Sequence, residues 1–297
     1  MELSAESLLI INPISGQGWA RASRDRIVKR LSEMGPLDVV ETHAAGDANL
    51  AATKAIEHGI GRIIVGGGDG TINEVINAIA GADVELGIMP LGTANVLARE
   101  LAIPLEDVEK ACDVIAAGNV RRMDLARAGD RYFALMAGIG FDAAVVDRVD
   151  RDLKDLLGPA AYGVASMTEL LLHKGKRFKL TMDGIPYETA ASLVVVANVA
   201  SYAMRIRVAT NAACDDGLLD ICVFESGEAQ RATLLSQALK LILTGSNEGD
   251  HTIRCFRAAN VIVESEPEAL VQVDGDLVGQ TPTEIQVAPG ALRVLAP

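Results

Sequence analysis

Short apolar runs alternate with amphipathic stretches through roughly the first 120 residues of the chain. Runs of branched aliphatic residues, such as residues 62–65, are typical of buried strands. Apolar positions at i, i+3, i+4 and i+7, as in residues 72–79, indicate one buried helix face. The predicted strands span residues 7–12, 37–42, 62–65 and 85–89, and the predicted helices span residues 20–34, 46–58, 71–80, 94–101 and a stretch that begins at Pro104. This alternation predicts an α/β fold, a doubly wound parallel sheet with helices on both faces.

From about residue 120 the pattern changes to short strands separated by turns such as Asp183-Gly184 and Asp274-Gly275. The predicted strands are residues 120–127, 132–137, 178–182, 192–198, 218–224, 252–264, 270–273 and 284–287. Two helical stretches, residues 143–173 and 228–244, interrupt them. The sequence therefore predicts two domains, an N-terminal α/β domain over residues 1–122 and a C-terminal β-sandwich with inserted helices over residues 123–297.

A glycine-rich loop joins the third predicted strand to the helix that follows it. Gly66–Gly68 and Gly70 surround the single acid Asp69, and Thr71 and Glu74 have the spacing of a capping box, which predicts that the helix begins at Thr71. Backbone N–H groups without side-chain cover, placed at a helix N-terminus, favour an anion. The loop therefore predicts a phosphate site, and the N-terminal domain is predicted to bind a nucleotide.

Two further strand ends carry similar breaks, at residues 12–18 and 90–93, and the second strand ends at Thr42. In parallel sheets the loops after the strands meet at one edge, where ligands bind. Asp69 admits two interpretations. A divalent cation or a hydroxyl lies between its carboxylate and a phosphate, as in magnesium nucleotides, or the carboxylate only hydrogen-bonds loop amides.

Composition narrows the class of protein. The net charge of −13 argues against a nucleic-acid partner, which needs a basic face. The four cysteines include no Cys-x-x-Cys pair, so we expect neither a zinc site nor a disulfide framework, and a reducing compartment. The N-terminus lacks the features of a signal peptide, and no apolar run is long enough to span a bilayer. We therefore expect a cytoplasmic protein.

The motifs together resemble those of the diacylglycerol kinase catalytic domain, a family that includes soluble bacterial diacylglycerol kinases and sphingosine kinases. The matching stretches are Gly67-Gly68-Asp69-Gly70-Thr71 with Asn73-Glu74, Asn12-Pro13-x-Ser15-Gly16, Pro90-x-Gly92-Thr93-x-Asn95, Met136 to Asp142, Asp215-Asp216-Gly217 and Val273-Asp274-Gly275-Asp276. The similarity extends over essentially the whole chain.

The resemblance implies an ATP-dependent lipid kinase with Mg²⁺, whose cleft lies between the two domains. The positions that would bind the nucleotide are Asn12, Pro13, Ser15, Gly16, Thr42, Gly67, Gly68, Asp69, Gly70, Thr71, Asn73 and Thr93. Asp69 would act on Mg²⁺-ATP. Asp276 stands where the family's general base is usually glutamate. Asp216, with the backbone carbonyls of Ala213 and Leu218, resembles a structural magnesium site.

The resemblance also implies a lipid substrate at a membrane surface, and it allows a homodimer. The basic run from His173 to Lys179 is either a contact for anionic lipid headgroups or a solvated loop. The preceding residues 157–172 either cover a lipid cleft or pack in the core. Asp142 is either a helix cap or part of the cleft.

Diacylglycerol is the first expected acceptor, with phosphatidic acid as the product. Many bacterial diacylglycerol kinases have Asn-Asp where this chain has Asn95-Val96, and sphingosine kinases have an apolar residue there. The alternatives are a sphingoid-base kinase, or an NAD kinase, since the glycine loop also occurs in NAD kinases. A nucleotide- or lipid-binding regulator with little turnover is a further alternative, because Asp276 stands in place of glutamate.

Overall fold

The computed structural model of the chain describes residues 6–148, 175–203, 206–226 and 230–297. These residues form two compact units. The first contains the described residues up to Leu125 together with Ala288–Pro297, and the second spans Ala126–Val287. The predicted second domain ran to residue 297, whereas in the structure the last ten residues of the chain belong to the first unit.

The first unit is a parallel sheet with helices, as predicted. Its strands are β1 (Ser7–Ile11), β2 (Leu37–Glu41), β3 (Arg62–Gly67) and β4 (Glu85–Pro90), and its helices are α1 (Trp19–Ser32), α2 (Asp47–Glu57), α3 (Asp69–Ile79), α4 (Val96–Glu100) and α5 (Val108–Ala117), with a 3-10 turn at Ser15–Gly18. The strand order is β2-β1-β3-β4. β1, β3 and β4 are buried almost throughout, which explains their uninterrupted apolar sequences.

The end of the chain completes this sheet. Strand β17 (Thr283–Leu295) extends eight residues beyond the predicted end at Val287, and Arg293 pairs in parallel with Glu85 of β4. Proline followed by glycine, as at Pro289-Gly290, is typical of turns. In the structure the strand continues through it, and the Gly290 N–H donates to Asp124 Oδ1 at 2.7 Å.

Two predicted helix starts are wrong. Helix α3 begins at Asp69 with Gly68 as its N-cap, without a side-chain capping bond, so the capping box predicted at Thr71 and Glu74 does not form. Glu74 Oε2 instead accepts from the Ala48 N–H at 3.2 Å, in the first turn of α2. The helix expected from Pro104 begins at Val108, where Asp107 caps it by accepting from the Lys110 N–H.

The second unit is built from antiparallel strands with helices between them, as predicted. Its strands are the end of β5 (Val120–Ala128), β6 (Arg131–Phe133), β7 (Met136–Gly140), β8 (Lys176–Met182), β9 (Ile185–Ala197), β10 (Ser201–Ala203), β11 (Ile206–Arg207), β12 (Leu219–Glu225), β13 (Ile253–Ala258), β14 (Asn260–Glu266), β15 (Leu270–Val273), β16 (Asp276–Gln280) and the start of β17. β9 pairs with β8, β7 and β12, and β14 pairs with β8 and β17. Their inward side chains form an aliphatic core with Phe133 and Phe178.

The helices of this unit are α6 (Phe141–Arg148) and α7 (Gln230–Thr244). α6 begins two residues before the predicted helix 143–173, and the remainder of that prediction lies outside the described residues. Residues 252–264, predicted as one strand, are two strands that meet at Ala259. In the part of the chain that the structure describes, no helix is both long and apolar enough to cross a membrane.

One cysteine prediction is also wrong. Cys222 and Cys255 form a disulfide, whereas Cys112 and Cys214 are free and buried. The two bonded residues lie directly opposite each other on β12 and β13, with Cα atoms 4.2 Å apart. They are 33 residues apart in sequence, so only the strand pairing brings them together.

Candidate functional site

Three loops meet at the carboxyl edge of the parallel sheet in the first unit. The Asn12 N–H donates to Gly66 O at 2.8 Å, and the Leu91 N–H donates to Gly67 O at 3.0 Å. A Cβ on Gly16 would lie 2.3 Å from Leu91 O, and the residue has φ +61°. Only glycine fits there, because a side chain would clash with the backbone of the neighbouring loop. The convergence predicted from the strand ends is therefore present.

The glycine loop itself lies close to the loop after β4. A Cβ on Gly92 would lie 2.4 Å from the Gly68 Cα, and a Cβ on Gly67 would lie 2.8 Å from the Thr71 Cβ. By contrast, the space beside Gly70 is open, because a Cβ there would meet no heavy atom within 4 Å apart from its chain neighbours and the backbone of its own helix. The loop is thus packed on one side and free at the first turn of α3. That helix start has no side-chain cap, so its N–H groups are available to an anion.

A cavity of about 450 Å³ opens at this point. Its lining residues are Asn12, Pro13, Ile14, Arg21, Thr42, His43, Ala44, Ala45, Gly70, Thr71 and Glu74. Five of the predicted nucleotide residues are among them. Asn12 and Thr71 are joined by a hydrogen bond of 3.3 Å from Nδ2 to Oγ1, and the Thr42 N–H donates to Ile11 O at 2.9 Å.

Arg21 is a residue of the cavity wall that was not among the predicted nucleotide residues. It lies in the first turns of α1, directly after the glycine-containing turn that ends at Gly18, and its side chain is exposed. A guanidinium at the wall of a cavity beside a helix N-terminus suits a phosphate group. The feature of the sequence that indicates Arg21 is its position at the start of the helix that follows the Asn-Pro-x-Ser-Gly stretch.

The remaining predicted nucleotide residues lie outside the cavity wall. Ser15 opens the 3-10 turn, Gly16 packs on Leu91, and Thr93 is exposed in the loop after β4. Asn73 is buried in α3, where its Oδ1 accepts from Asn77 Nδ2 at 2.8 Å.

Asp69 connects the glycine loop to the start of α4. Its Oδ1 accepts from the Leu97 N–H at 3.2 Å. Burial raises the pKa of the Asp69 carboxyl, while backbone N–H groups, foremost those of Val96 and Leu97, act to lower it. The charged form is therefore costly at this place. Such a carboxylate is either held for a ligand or serves to connect the two loops.

In the second unit, Asp274 fixes the loop that precedes Asp276. Its carboxylate accepts from three consecutive backbone N–H groups, those of Ala134, Leu135 and Met136, at 2.8, 3.0 and 2.9 Å. Asp274 has φ +46°, in the left-handed region where aspartate and asparagine are the commonest residues after glycine. The side chain is thus committed to structure.

Asp276 has different surroundings from Asp274. Its side chain is 60% exposed, and its Oδ2 pairs with Arg131 Nη2 at 2.6 Å. An exposed carboxylate is free to meet a substrate hydroxyl, and a neighbouring guanidinium orients it.

Gln272 links the same loop to helix α6. Its Nε2 donates to Asp142 Oδ2 at 2.5 Å, and its Oε1 accepts from the Gly275 N–H at 2.7 Å. Gln272 is 1% exposed. A Cβ on Gly138 would lie 2.0 Å from Asp142 Oδ2, so glycine is required there for this contact. Asp142, for which a helix cap and a cleft role were both open, therefore contacts the loop that carries Asp276.

The surroundings of Asp216 bear on the predicted structural magnesium site. Asp216 Oδ1 accepts from the Leu218 N–H at 3.1 Å, and Oδ2 pairs with Arg257. Arg257 also lies 3.4 Å from Asp220 Oδ2, and burial raises the pKa of Asp220. Among the described residues no group of three or more His, Cys, Asp or Glu side chains could hold a metal ion. A Mg²⁺ ion fits this loop only if it displaces Arg257 from the carboxylate.

The basic run is only partly described, since His173 and Lys174 lie outside the described residues, as do residues 157–172. On β8 the Lys176 Nζ donates to Glu268 O at 2.8 Å, and Lys179 pairs with Glu264 at 3.0 Å. Arg177 is exposed.

Comparison with known families gives two matches that together span most of the chain. The family model described as "Diacylglycerol kinase catalytic domain" matches residues 6–128. The family model described as "YegS C-terminal NAD kinase beta sandwich-like domain" matches residues 136–296. The two matches follow the predicted order of an α/β part and a sandwich part.

Individual relatives agree with the family matches. A protein named diacylglycerol kinase from Mycobacterium tuberculosis is 34% identical, over 97% of this chain and 94% of that protein. A diacylglycerol kinase from Bacillus subtilis is 31% identical, over 93% of this chain and 91% of that protein. The crystal structure of a diacylglycerol kinase from Bacillus anthracis superposes with a TM-score of 0.80 and 29% identity, covering 100% of this chain and 99% of that one.

Proposed function

Because the chain belongs to the diacylglycerol kinase family of lipid kinases, we propose that it transfers the γ-phosphoryl group of Mg²⁺-ATP to the hydroxyl of diacylglycerol. The observation that supports this most directly is the open cavity at the N-terminus of α3. There an uncapped helix start, an unobstructed Gly70 and Arg21 lie together. This combination suits a polyphosphate.

Binding of the nucleotide falls to the first unit. Asn12, Thr42 and Thr71 present polar groups to the cavity, and the N–H groups of the first turn of α3 face the phosphates. We assign Asp69 to the Mg²⁺ that accompanies ATP as part of the substrate. The same carboxylate also holds α4 against the glycine loop. Asp69 would therefore both position the loop and help to bind the cation that neutralises the phosphates.

The acceptor requires a base, which we assign to Asp276 in the second unit. As the new O–P bond forms, the hydroxyl proton passes to the Asp276 carboxylate and the bond between the γ-phosphorus and the bridging oxygen of ADP breaks. Asp276 is the exposed carboxylate of the Val273–Asp276 stretch, whereas Asp274 is occupied by three N–H groups. Arg131 holds Asp276 in place until the hydroxyl arrives.

Two other acceptors are candidates, each on one observation. The sandwich family model carries NAD kinase in its description, which makes NAD a second candidate substrate. Sphingosine is the third, on the basis of Val96 after Asn95. A regulator with little turnover follows if Asp276 cannot act as a base.

One experiment separates these candidates. The protein is incubated with γ-labelled ATP and Mg²⁺ in four parallel reactions, containing diacylglycerol, sphingosine, NAD or no acceptor. Labelled phosphatidic acid as the main product supports the proposal. Labelled NADP or labelled sphingosine phosphate as the main product means that the protein is a kinase but that its acceptor is NAD or sphingosine. Nucleotide binding without any labelled product favours the regulator.

A further inference from the structure

Helix α7 of the second unit presents leucines to solvent. Leu235, Leu239 and Leu243 are 51%, 52% and 75% exposed. They recur at i, i+4 and i+8, so they form one row along the helix. We call this row the leucine stripe. Single exposed leucines are ordinary, but a row of three on one helix face forms a contiguous apolar patch, and such patches often mark interaction sites.

The opposite face of α7 provides its packing. Leu234, Gln237 and Leu241 are buried. Gln237 Nε2 donates to Glu225 O at 3.2 Å and to Thr252 Oγ1 at 3.0 Å, which fixes the rotation of the helix. The leucine stripe therefore faces away from the core of its own unit. Packing of the helix does not account for it.

The charge around the stripe selects the kind of partner. The chain carries −13, yet no Asp or Glu occurs between Glu228 and Glu248, a stretch that contains the whole helix. The charged residues of α7 are Arg231 and Lys240, both basic, and Lys240 Nζ lies 3.6 Å from Asp250 Oδ2. An apolar row on a helix without acidic side chains suits an anionic lipid surface, because no carboxylate of the helix repels the headgroups.

Size also favours a bilayer over a second copy of the chain. Three partly exposed leucines cover only part of the about 800 Å² per partner that a stable protein interface buries. A helix of 15 residues is also shorter than the roughly 20 that a membrane span requires. Such a helix lies in the plane of the interface, with its apolar face among the lipid headgroups.

We propose that the leucine stripe of α7 inserts into the surface of an anionic lipid bilayer and docks the second unit there. The proposal rests on the proposed function, because a diacylglycerol acceptor resides in a membrane. The proposal places the main membrane contact on α7 and gives the basic residues of β8 a smaller contribution.

The test compares vesicle binding by wild type and by a variant with Leu235→Gln, Leu239→Gln and Leu243→Gln. Glutamine retains helix propensity while removing the apolar surface. On vesicles of phosphatidylcholine and phosphatidylglycerol we expect the partition coefficient to fall about tenfold or more. The matched control is Leu50→Gln, an equally exposed leucine (54%) on helix α2 of the first unit. It should bind vesicles like wild type.

A second measurement detects insertion directly and does not depend on the triple variant folding. Tryptophan is introduced by Leu239→Trp, or by Leu50→Trp as the control, beside the native Trp19. Vesicles should shift the emission of the Leu239→Trp protein to shorter wavelength, and brominated lipid should quench it. The Leu50→Trp protein should show no change.

Three results would overturn the proposal: equal vesicle binding by wild type and a folded triple variant, no emission change at position 239, or a lipid-free dimer of the wild type that the triple variant dissociates. Phosphorylation of a dispersed short-chain diacylglycerol is measured in parallel. Loss of vesicle binding with that activity intact supports the leucine stripe. Vesicle insertion without phosphorylation of any lipid supports the stripe and refutes the proposed function.

Discussion

The Asp69 carboxylate accepts a hydrogen bond from the backbone N–H of Leu97 at 3.2 Å, so the acid of the glycine loop also holds the start of the next helix. The pKa of this carboxyl is raised, chiefly by burial. An acid whose pKa is raised by folding destabilises the folded state once it is charged. The free energy of unfolding therefore falls as the pH rises from the ordinary pKa of the acid through the raised one. The folded protein therefore carries a destabilised charge at neutral pH, which is typical of a residue kept for function.

We expect Asp69→Asn to abolish phosphoryl transfer while the fold persists. Asparagine keeps an oxygen that can accept from Leu97 but lacks the negative charge that would bind the metal of Mg²⁺-ATP tightly. Because asparagine is neutral, the cost of burying a charge disappears, so the melting temperature should equal or exceed that of wild type. The difference should grow as the pH rises from the ordinary pKa of an aspartate through the raised pKa of Asp69, and it should stay constant above that. Steady-state kcat and thermal melts across the pH range measure both effects. Near-normal turnover would leave Asp69 with the single role of connecting the loops.

Local patterns predicted much of the first unit. Residues 62–79 contain a strand, a glycine loop and a helix, each with its own periodicity, and all three are present. The meeting of the strand ends also followed from the topology of a parallel sheet.

The misses share a different cause, which is that partners distant in sequence decide the outcome. Glu74 has the spacing of a capping box but bonds Ala48, which approaches only after α2 and α3 pack. Cys222 and Cys255 depend on the register of two strands. The contact between Gln272 and Asp142 joins residues 130 positions apart, and nothing in either local sequence indicates it.

Substitution of Asp276 should impair catalysis, whereas substitution of Asp274 should impair stability. Asp276→Asn should lower kcat by roughly 10²–10⁴, the usual size of general acid–base catalysis, with ATP affinity unchanged. Asp276→Glu should keep substantial activity, since it restores the residue usual in the family. Asp274→Asn should lower the free energy of unfolding by about 1–3 kcal/mol, because three N–H groups lose a charged acceptor. Wild-type turnover by Asp276→Asn together with an inactive Asp274→Asn would reverse these roles.

Gln272 should act as a positioning residue for Asp276. Gln272→Leu removes the bonds to Asp142 and to Gly275 at similar size, so kcat should fall while KM for ATP holds. Gln272→Glu keeps an acceptor for Gly275 but places a second carboxylate against Asp142. Its activity should therefore recover as the pH is lowered, when one of the two acids is protonated. A purely packing role predicts that the two variants have the same pH profile.

The magnesium site predicted at Asp216 can be tested through competition with Arg257. If Mg²⁺ binds there, it must displace the guanidinium, so Arg257→Gln should enlarge the rise in melting temperature that MgCl₂ produces. Asp216→Asn should remove that rise. Calorimetric melts of the three proteins with MgCl₂ or with EDTA give the comparison. An identical change in melting temperature for all three proteins would mean that Mg²⁺ does not bind at Asp216 and that Arg257 is the cation that pairs with it.

The basic residues of β8 should contribute less to membrane binding than the leucine stripe does. Lys179 Nζ lies 3.0 Å from Glu264 Oε2, which offsets part of its charge, and Lys176 donates to a backbone carbonyl. Arg177 remains exposed, and one basic residue near an anionic bilayer contributes about 1 kcal/mol. The double change Arg177→Gln and Lys179→Gln should therefore weaken binding to anionic vesicles by no more than about fivefold at low salt. Sedimentation with vesicles at two salt concentrations measures the effect, and activity on a dispersed short-chain acceptor should hardly change. A loss that matches or exceeds the one expected for the leucine stripe would assign the main membrane contact to β8 instead.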